Sequence, residues 1–296
     1  MIDVSIIIIN YNTTQLLKNC INSIIEKTFG LSYEIIVIDN ASYDNPEVLI
    51  KKNFPNVKFI SSQLNLGFGK ANNLGVLNST GKYLFFLNSD TLLINNAIKI
   101  LFDFWQTNPN LGAIGGNLFD EKHNPNFSYG THFPTIFNII LYRTRFFKIF
   151  KLDTFNYTNL PKKVSFIIGA DLFMERSLFL KIKGFDPNYF MYIEDGDLQL
   201  QINRLNYFIY NVPNAKILHL QGASSTNKDK LIMEVSSYSY YFKKNYNNIV
   251  SKIYQLIELS FSILFVFLSF FNRDRNLKNN YLFLSKFIVK NLIFKS

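Results

Sequence analysis

Residues Lys82–Thr91, KYLFFLNSDT, decide how the rest of the chain is read. Five apolar residues, Tyr83–Leu87, stand between Gly81 and the polar turn formers Asn88-Ser89-Asp90. A short apolar run closed in this way fits a central strand of a parallel sheet. In open α/β sheets, ligands bind beyond the carboxyl ends of the strands. An Asn-x-Asp there puts two oxygen-bearing side chains on one edge of a turn. That pairing suits a hard divalent cation that also holds a diphosphate. Standing alone, the tripeptide reads first as an Asx-turn that ends a strand. The flanking chain changes that balance.

Toward the N-terminus, Val4–Ile9 is a continuous β-branched run ending in Asn10-Tyr11-Asn12, a buried first strand and its loop. Leu16, Leu17, Cys20, Ile21, Ile24 and Ile25 recur at helical spacing, with Asn12–Thr14 as capping candidates. Glu34–Ile38 is a second buried strand, closed by Asp39-Asn40-Ala41-Ser42. Pro46 suits the first turn of a short helix, and Val57–Ile60 is a third strand. The order β-α-β-α-β at close spacing is half of a doubly wound domain. Asn65-Leu66-Gly67-Phe68-Gly69 then forms a turn-rich loop before a helix over about Lys70–Leu77.

Toward the C-terminus, the expected elements are a helix from about Asn95 to Trp105 and short strands near 112–119 and 127–132. A basic apolar helix follows near 135–150, and regular structure returns at Val164–Arg176. Helices over Ser177–Ile182 and Asp195–Leu205 and strands at Tyr207–Tyr210 and Ala215–His219 follow. The expected organisation is one domain over 1–245 with a helical appendage over 246–296. In that appendage Ile253–Phe271 is strongly apolar but holds Gln255, Glu258 and three serines, borderline for a span of about 20 apolar residues. Asn276–Phe294 places Leu277, Tyr281, Leu284, Ile288 and Leu292 on one face, so interfacial helices are the better reading.

The formal charge of +10 is unevenly spread. Residues 249–296 carry seven Lys/Arg against Glu258 and Asp274, and residues 135–151 carry Arg143, Arg145, Lys148 and Lys151 with no acid. Basic residues interleaved with Phe, Ile and Leu favour an anionic membrane surface over nucleic acid, and no nucleic-acid partner is expected. The single cysteine, Cys20, excludes a disulfide framework and a multi-Cys zinc site and reads as core. Strand-like residues beginning directly after Met1-Ile2-Asp3 make a cytoplasmic start the default.

Polar groups line up at the predicted strand ends. Asn10-Tyr11-Asn12 and Asp39-Asn40-Ala41-Ser42 lie where a nucleotide would meet the sheet edge. Asp39 could accept from a base N–H or a ribose hydroxyl, or simply cap a turn. Asp90 is the candidate metal ligand, and neutral Asn88 either assists it or touches ribose. Phe190–Leu198, FMYIEDGDL, crowds Glu194, Asp195 and Asp197 together. Such acids favour a helix N-terminus, and a carboxylate above the sheet edge could also act as general base on a hydroxyl. His219 ends an apolar strand and could be a second metal ligand.

Together these pieces resemble the inverting family 2 glycosyltransferases of the GT-A fold, especially their bacterial rhamnosyltransferase-like branch. The matching text is VSIIIINYNT (4–13), EIIVIDNASYD (34–44), NLGFGKANNLG (65–75), YLFFLNSDT (83–91), the segment from Gly169 to Tyr207, and HLQGAS (219–224). The match covers roughly residues 3–245, in the family's order. The resemblance implies a Rossmann-like, mainly parallel central sheet flanked by helices, a nucleotide-sugar donor of UDP or dTDP type, and Mg²⁺ or Mn²⁺. By it, Asn10, Tyr11, Asp39, Asn65, Gly67, Lys70 and Asn88 lie on the nucleotide side. Asp90 and His219 serve the metal, Asp195 is the base with Glu194 beside it, and Gly169, Ala170 and Asp171 shape the acceptor side. The family's metal motif often opens with Asp where this chain has Asn88, so Asp90 carries that site. The membrane-leaning C-terminus suggests a hydroxyl of a cell-envelope glycan or lipid-linked acceptor, and a place at the inner face of the cytoplasmic membrane.

Three rivals fit less well. A dinucleotide-binding oxidoreductase needs glycine at position 72 to complete G-x-G-x-x-G after Gly67 and Gly69, and the chain has Asn72. A nucleotidyltransferase shares the sheet but lacks a use for the EDGDL and HLQGAS segments. The third is a catalytically silent, membrane-bound nucleotide-sugar-binding or scaffold subunit.

Overall fold

Buried apolar runs become the strands of one sheet. In the computed structural model, residues 2–144, 154–220, 227–271 and 275–294 are described. They divide into two compact units. The first comprises residues 1–133, 153–187 and 194–224, and the second residues 134–152, 188–193 and 225–296.

The first unit opens with the expected alternation. Strand β1 (Val4–Asn10), helix α1 (Thr14–Lys27), β2 (Tyr33–Asp39), α2 (Pro46–Asn53), β3 (Lys58–Ser61), α3 (Phe68–Leu77) and β4 (Tyr83–Asn88) follow one another. Parallel pairing runs β3-β2-β1-β4, with Asn10 opposite Asp39 at the carboxyl end and Asn88 opposite Ile9. Ile6, Ile7, Ile8, Leu84, Phe85 and Phe86 are 0 % exposed, which is why both faces of these strands read as continuous apolar text. Cys20 is buried in α1 against this core, as expected, and burial pushes its thiol up to about 12.

Beyond β4 the sheet becomes mixed. Strand β5 (Thr91–Leu93), helix α4 (Ala97–Thr107), β6 (Leu111–Phe119) and β7 (Tyr129–Gly130) precede β8 (Lys162–Lys163), β9 (Phe166–Ile167) and β10 (Asp171–Glu175). Helices α6 (Arg176–Lys181) and α7 (Glu194–Arg204) and strand β11 (Phe208–His219) complete the unit. The order continues β4-β10-β6-β11-β5, with β10 antiparallel to β4 and β6, and β11 parallel to β6 but antiparallel to β5.

The expected regular stretch 164–176 is thus two strands, because the chain turns between Ile167 and Asp171. β9 pairs with β7 in a small separate sheet, while β10 enters the main one. Conversely, the two strands expected at 207–210 and 215–219 are one. β11 runs through Pro213 with a register shift against β6 between Asn211 and Lys216, as a proline without an N–H requires.

The second unit is helical. It holds α5 (Ile136–Arg143), α8 (Asn227–Asn245), α9 (Asn248–Phe271) and α10 (Arg275–Phe294). α8, which lies before the boundary expected at 245, groups with the C-terminal helices. The part of the helix expected near 135–150 beyond residue 144 lies outside the described residues, as does Gln221–Ser224 of the HLQGAS segment.

Candidate active site

Side chains from the ends of β1, β2 and β4 interlock at the carboxyl edge. Asn10 is buried, and its Nδ2 donates to Asp39 Oδ1 and to Ser42 Oγ, each at 3.0 Å. Thr13 Oγ1 donates back to Asn10 Oδ1 at 2.9 Å and meets Ser89 Oγ at 3.0 Å. One step further out, Asn40 Nδ2 donates to Asn65 Oδ1 at 2.8 Å, and Asn40 Oδ1 accepts from the N–H of Leu66 at 2.8 Å. Gly67 caps α3 at φ 77°, a conformation that favours glycine, and its N–H donates to Asn65 Oδ1 at 3.0 Å. The loops after β1, β2 and β3 are therefore tied into one rim. Tyr11, partly exposed, and Lys70, exposed in the first turn of α3, stand outside these links.

The Asn88-Ser89-Asp90 turn is held by Thr91, whose Oγ1 donates to the carbonyl of Asn88 at 2.7 Å. Antiparallel pairing of β5 with β11 places His219 opposite Thr91, and Leu220 N–H donates to Asp90 O at 2.9 Å. Asp90 Oδ1 and Asn88 Nδ2 both face His219 Nε2, at 3.5 Å and 3.4 Å. His219 Nδ1 is buried without a hydrogen-bond partner. The Asp90 and His219 side chains keep 18 % and 13 % exposure, so this corner stays open to solvent.

The chemistry of this donor set fits Mg²⁺ or Mn²⁺. The Asp90 carboxylate oxygen and the His219 imidazole nitrogen lie side by side at 3.5 Å, and the Asn88 amide beside them could turn its oxygen the same way. Among the described residues no group of three His, Cys, Asp or Glu gathers in this way.

The acidic helix start is linked to the same strand end. Asn88 N–H donates to Ala170 O at 3.1 Å, and the next residue back, Gly169, donates its N–H to Asp195 Oδ2 at 2.6 Å. Gly196 N–H donates to Asp195 Oδ1 at 2.8 Å. A Cβ at Gly169 would lie 3.3 Å from Asp195 Oδ2 and from the ring of Phe68, so the glycine lets the carboxylate approach the backbone. Glu194 is 5 % exposed, with Oε2 unpartnered. Burial, then the Asp195 charge, pushes its carboxyl up to about 8. Burial also raises Asp195, against the opposing pull of the backbone N–H groups of Gly196, Gly169 and Asp195 itself. The pair therefore retains a proton well above the ordinary carboxylate range.

Asp171 is fully buried rather than facing a ligand. Its Oδ2 accepts from Gly116 N–H, and burial raises its carboxyl well above the usual range. It clamps β10 to β6 beneath Gly169 and Ala170. Sequence reasoning overlooked Gln199, which is 0 % exposed. Its Oε1 accepts from Ile167 N–H at 2.7 Å, and its Nε2 donates to Ile167 O at 2.6 Å and Asp195 O at 3.0 Å. Its position four residues after Asp195 on a helix was the available signal. Ser42 was legible only as a loop polar residue, and Thr13 only as a capping candidate of α1.

The family model for glycosyl transferase family 2 matches residues 5–182. The chain belongs to glycosyl transferase family 2. It is a glycosyltransferase, and the relatives agree. An N-acetylglucosaminyl-diphospho-decaprenol L-rhamnosyltransferase of Mycobacterium tuberculosis (strain CDC 1551 / Oshkosh) is 26 % identical over 214 residues, 66 % of this chain and 68 % of that one. The poly(ribitol-phosphate) beta-N-acetylglucosaminyltransferase TarP of Staphylococcus aureus (strain N315) is 36 % identical over 118 residues, 38 % of this chain and 36 % of that protein. Among solved structures, GalNAc-T7 with UDP, GalNAc and Mn²⁺ superposes with a TM-score of 0.57 at 16 % identity. That match covers 79 % of this transferase and 48 % of that chain, and it shows the shared GT-A fold.

Proposed function

We propose that this transferase moves a hexose from a UDP- or dTDP-type sugar to a hydroxyl of a glycan or lipid-linked acceptor, with inversion, at the inner face of a cytoplasmic membrane. One observation carries the reading: Asp90 with His219, and Asp195, are tied to the same strand end through Asn88, Ala170 and Gly169. The relatives support the acceptor class, one being named for a diphospho-decaprenol saccharide and one for poly(ribitol-phosphate).

In this reading Asp39, held by Asn10 and Ser42, meets the base or ribose, and the Asn65–Lys70 loop borders the nucleotide. Asp90 and His219, with Asn88, would hold Mg²⁺ or Mn²⁺, and such an ion would supply positive charge toward the departing diphosphate. Asp195, ionised, takes the proton from the acceptor hydroxyl. The hydroxyl oxygen bonds to the anomeric carbon while the bond from that carbon to the diphosphate oxygen breaks, and the nucleoside diphosphate leaves with that electron pair. Glu194, keeping its proton, prevents a second negative charge from building beside the base. Gly169 and Ala170 line the approach, and Asp171 supports them from below.

The test is a transfer assay with a panel of nucleotide sugars and membrane-extracted acceptors, read by NMR at the new anomeric centre. An inverted product with wild type and none with Asp195→Asn supports the proposal. A retained configuration, or undiminished turnover by Asp195→Asn, contradicts it.

A further inference from the structure

Helix α9 is inside out for a helix bathed in water. Ser251, Glu258, Ser262 and Ser269 recur along one stripe and are each 3 % exposed or less. Ser251 Oγ donates to Ser239 O of α8 at 2.7 Å, and Ser262 Oγ shares a hydrogen bond with Ser285 Oγ of α10 at 2.7 Å. Glu258 receives Arg143 of α5, with Nε to Oε1 at 3.0 Å and Nη2 to Oε2 at 2.9 Å. The opposite face carries Ile249, Ile253, Leu256, Ile263, Leu264 and Phe267, between 43 % and 70 % exposed. A soluble helix turns its apolar stripe inward. This one turns four polar side chains inward beside Tyr254 and sets six large apolar side chains outward, so its outer face calls for an apolar medium.

By length and composition Asn248–Ser269 could cross a bilayer, with a mean hydropathy of 1.6. Its partners argue for another placement. Crossing would carry along α8, with Lys228, Asp229, Lys230, Glu234, Lys243 and Lys244. It would also carry α10, which has Arg275, Lys278, Lys286 and Lys290 and no acid. Charges at membrane depth are costly, whereas lysines beside an apolar stripe suit an anionic headgroup layer. The same lysines disfavour a symmetric dimer through α9, which would bring two basic α10 helices together.

We infer that α9 lies in the plane of an anionic lipid surface, its Ile249–Phe267 face at the acyl boundary and the α10 lysines at the headgroups. This rests on the reading that the transferase works at a membrane, and it specifies the helix and the mode of contact.

The experiment is flotation of the full chain with phosphatidylethanolamine/phosphatidylglycerol vesicles against phosphatidylcholine vesicles. The variants are Ile263→Glu/Phe267→Glu and, as control, Val48→Glu, which alters an apolar residue of α2 that is 77 % exposed. Because the altered α9 residues are solvent-exposed in the free protein, melting temperatures should stay within a few degrees of wild type. The expected result is flotation with anionic vesicles, weakened at least about tenfold in the α9 variant only. Asn247→Cys and Asn276→Cys, which flank α9, should both react with an impermeant maleimide in proteoliposomes, because Cys20 is buried and silent. Labelling of only one would mean that α9 spans, overturning the in-plane placement while leaving the membrane reading intact. Flotation unaffected by the α9 variant would move the contact elsewhere and overturn the assignment of α9. No flotation, with lipid-free dimers that the α9 variant dissolves, would make the face a contact between copies and overturn both.

Discussion

Asp90 Oδ1 and His219 Nε2 lie 3.5 Å apart, brought together by the antiparallel pairing of the three-residue strand β5 with the last three residues of β11. Asp90→Ala should lower kcat/KM about a hundredfold or more, the scale of a lost Lewis-acid site of several kcal/mol. His219→Ala should act mainly through the metal, raising the Mn²⁺ concentration for half-maximal activity about tenfold. A titration of activity against Mn²⁺ separates the two.

Asp195 should behave as a base and not as a donor-binding group. Asp195→Asn is expected to reduce kcat by about 10²–10⁴-fold and to leave the donor-induced thermal shift unchanged. Loss of that shift would instead place the residue in the nucleotide site.

Gln199 pairs with both backbone groups of Ile167 and with the carbonyl of Asp195. Gln199→Leu leaves those buried groups unsatisfied, at about 1–3 kcal/mol each. A lower melting temperature is expected, together with a fall in kcat at unchanged donor KM, read from steady-state kinetics.

Glu194 gives stability a defined slope with pH. Between its ordinary 4.5 and the raised value of about 8, the unfolded chain is ionised while the folded chain keeps the proton. The folded state then binds more protons, so this contribution is complete below about 4.5 and is lost as pH rises through about 8. Glu194→Gln should therefore melt higher than wild type at pH above 8 and close to it at pH below 4.5, as scanning calorimetry at both ends would report.

Much of the fold was legible because β1, β2 and β4 are mainly buried and end on polar turns, so each declares itself and its functional end. Asn10, Asp39, Asn88 and Asp90 were found that way. β5 was not, since three residues show no periodicity, and without it nothing in the sequence says that His219 sits opposite Thr91. The break between β9 and β10 falls at Gly169-Ala170, flanked by the apolar runs Phe166–Ile168 and Leu172–Met174, and only the structure shows that the two runs pair in different sheets. The resemblance puts Asp171 with Gly169 and Ala170 on the acceptor side, and the sequence does not show that its carboxylate is buried against the N–H of Gly116. In α9 the composition announced an apolar helix, but only its partners Arg143, Ser239 and Ser285 tell which face is turned inward.

Gly116 shows how tightly the floor of the site is packed. A Cβ there would lie 2.3 Å from the carbonyl oxygen of Ala215, a backbone atom that cannot swing aside. Gly116→Ala should destabilise the fold by about 1–3 kcal/mol, measured by urea unfolding.

Donor binding tests the central claim most directly. Thermal shift with UDP-, dTDP- and GDP-sugars, with and without Mn²⁺, should be compared between wild type and Asp90→Ala. The account predicts a metal-dependent stabilisation by one nucleotide class that is absent in the variant. A folded wild-type protein that responds to none of them, or an Asp90→Ala variant that responds equally, would contradict it.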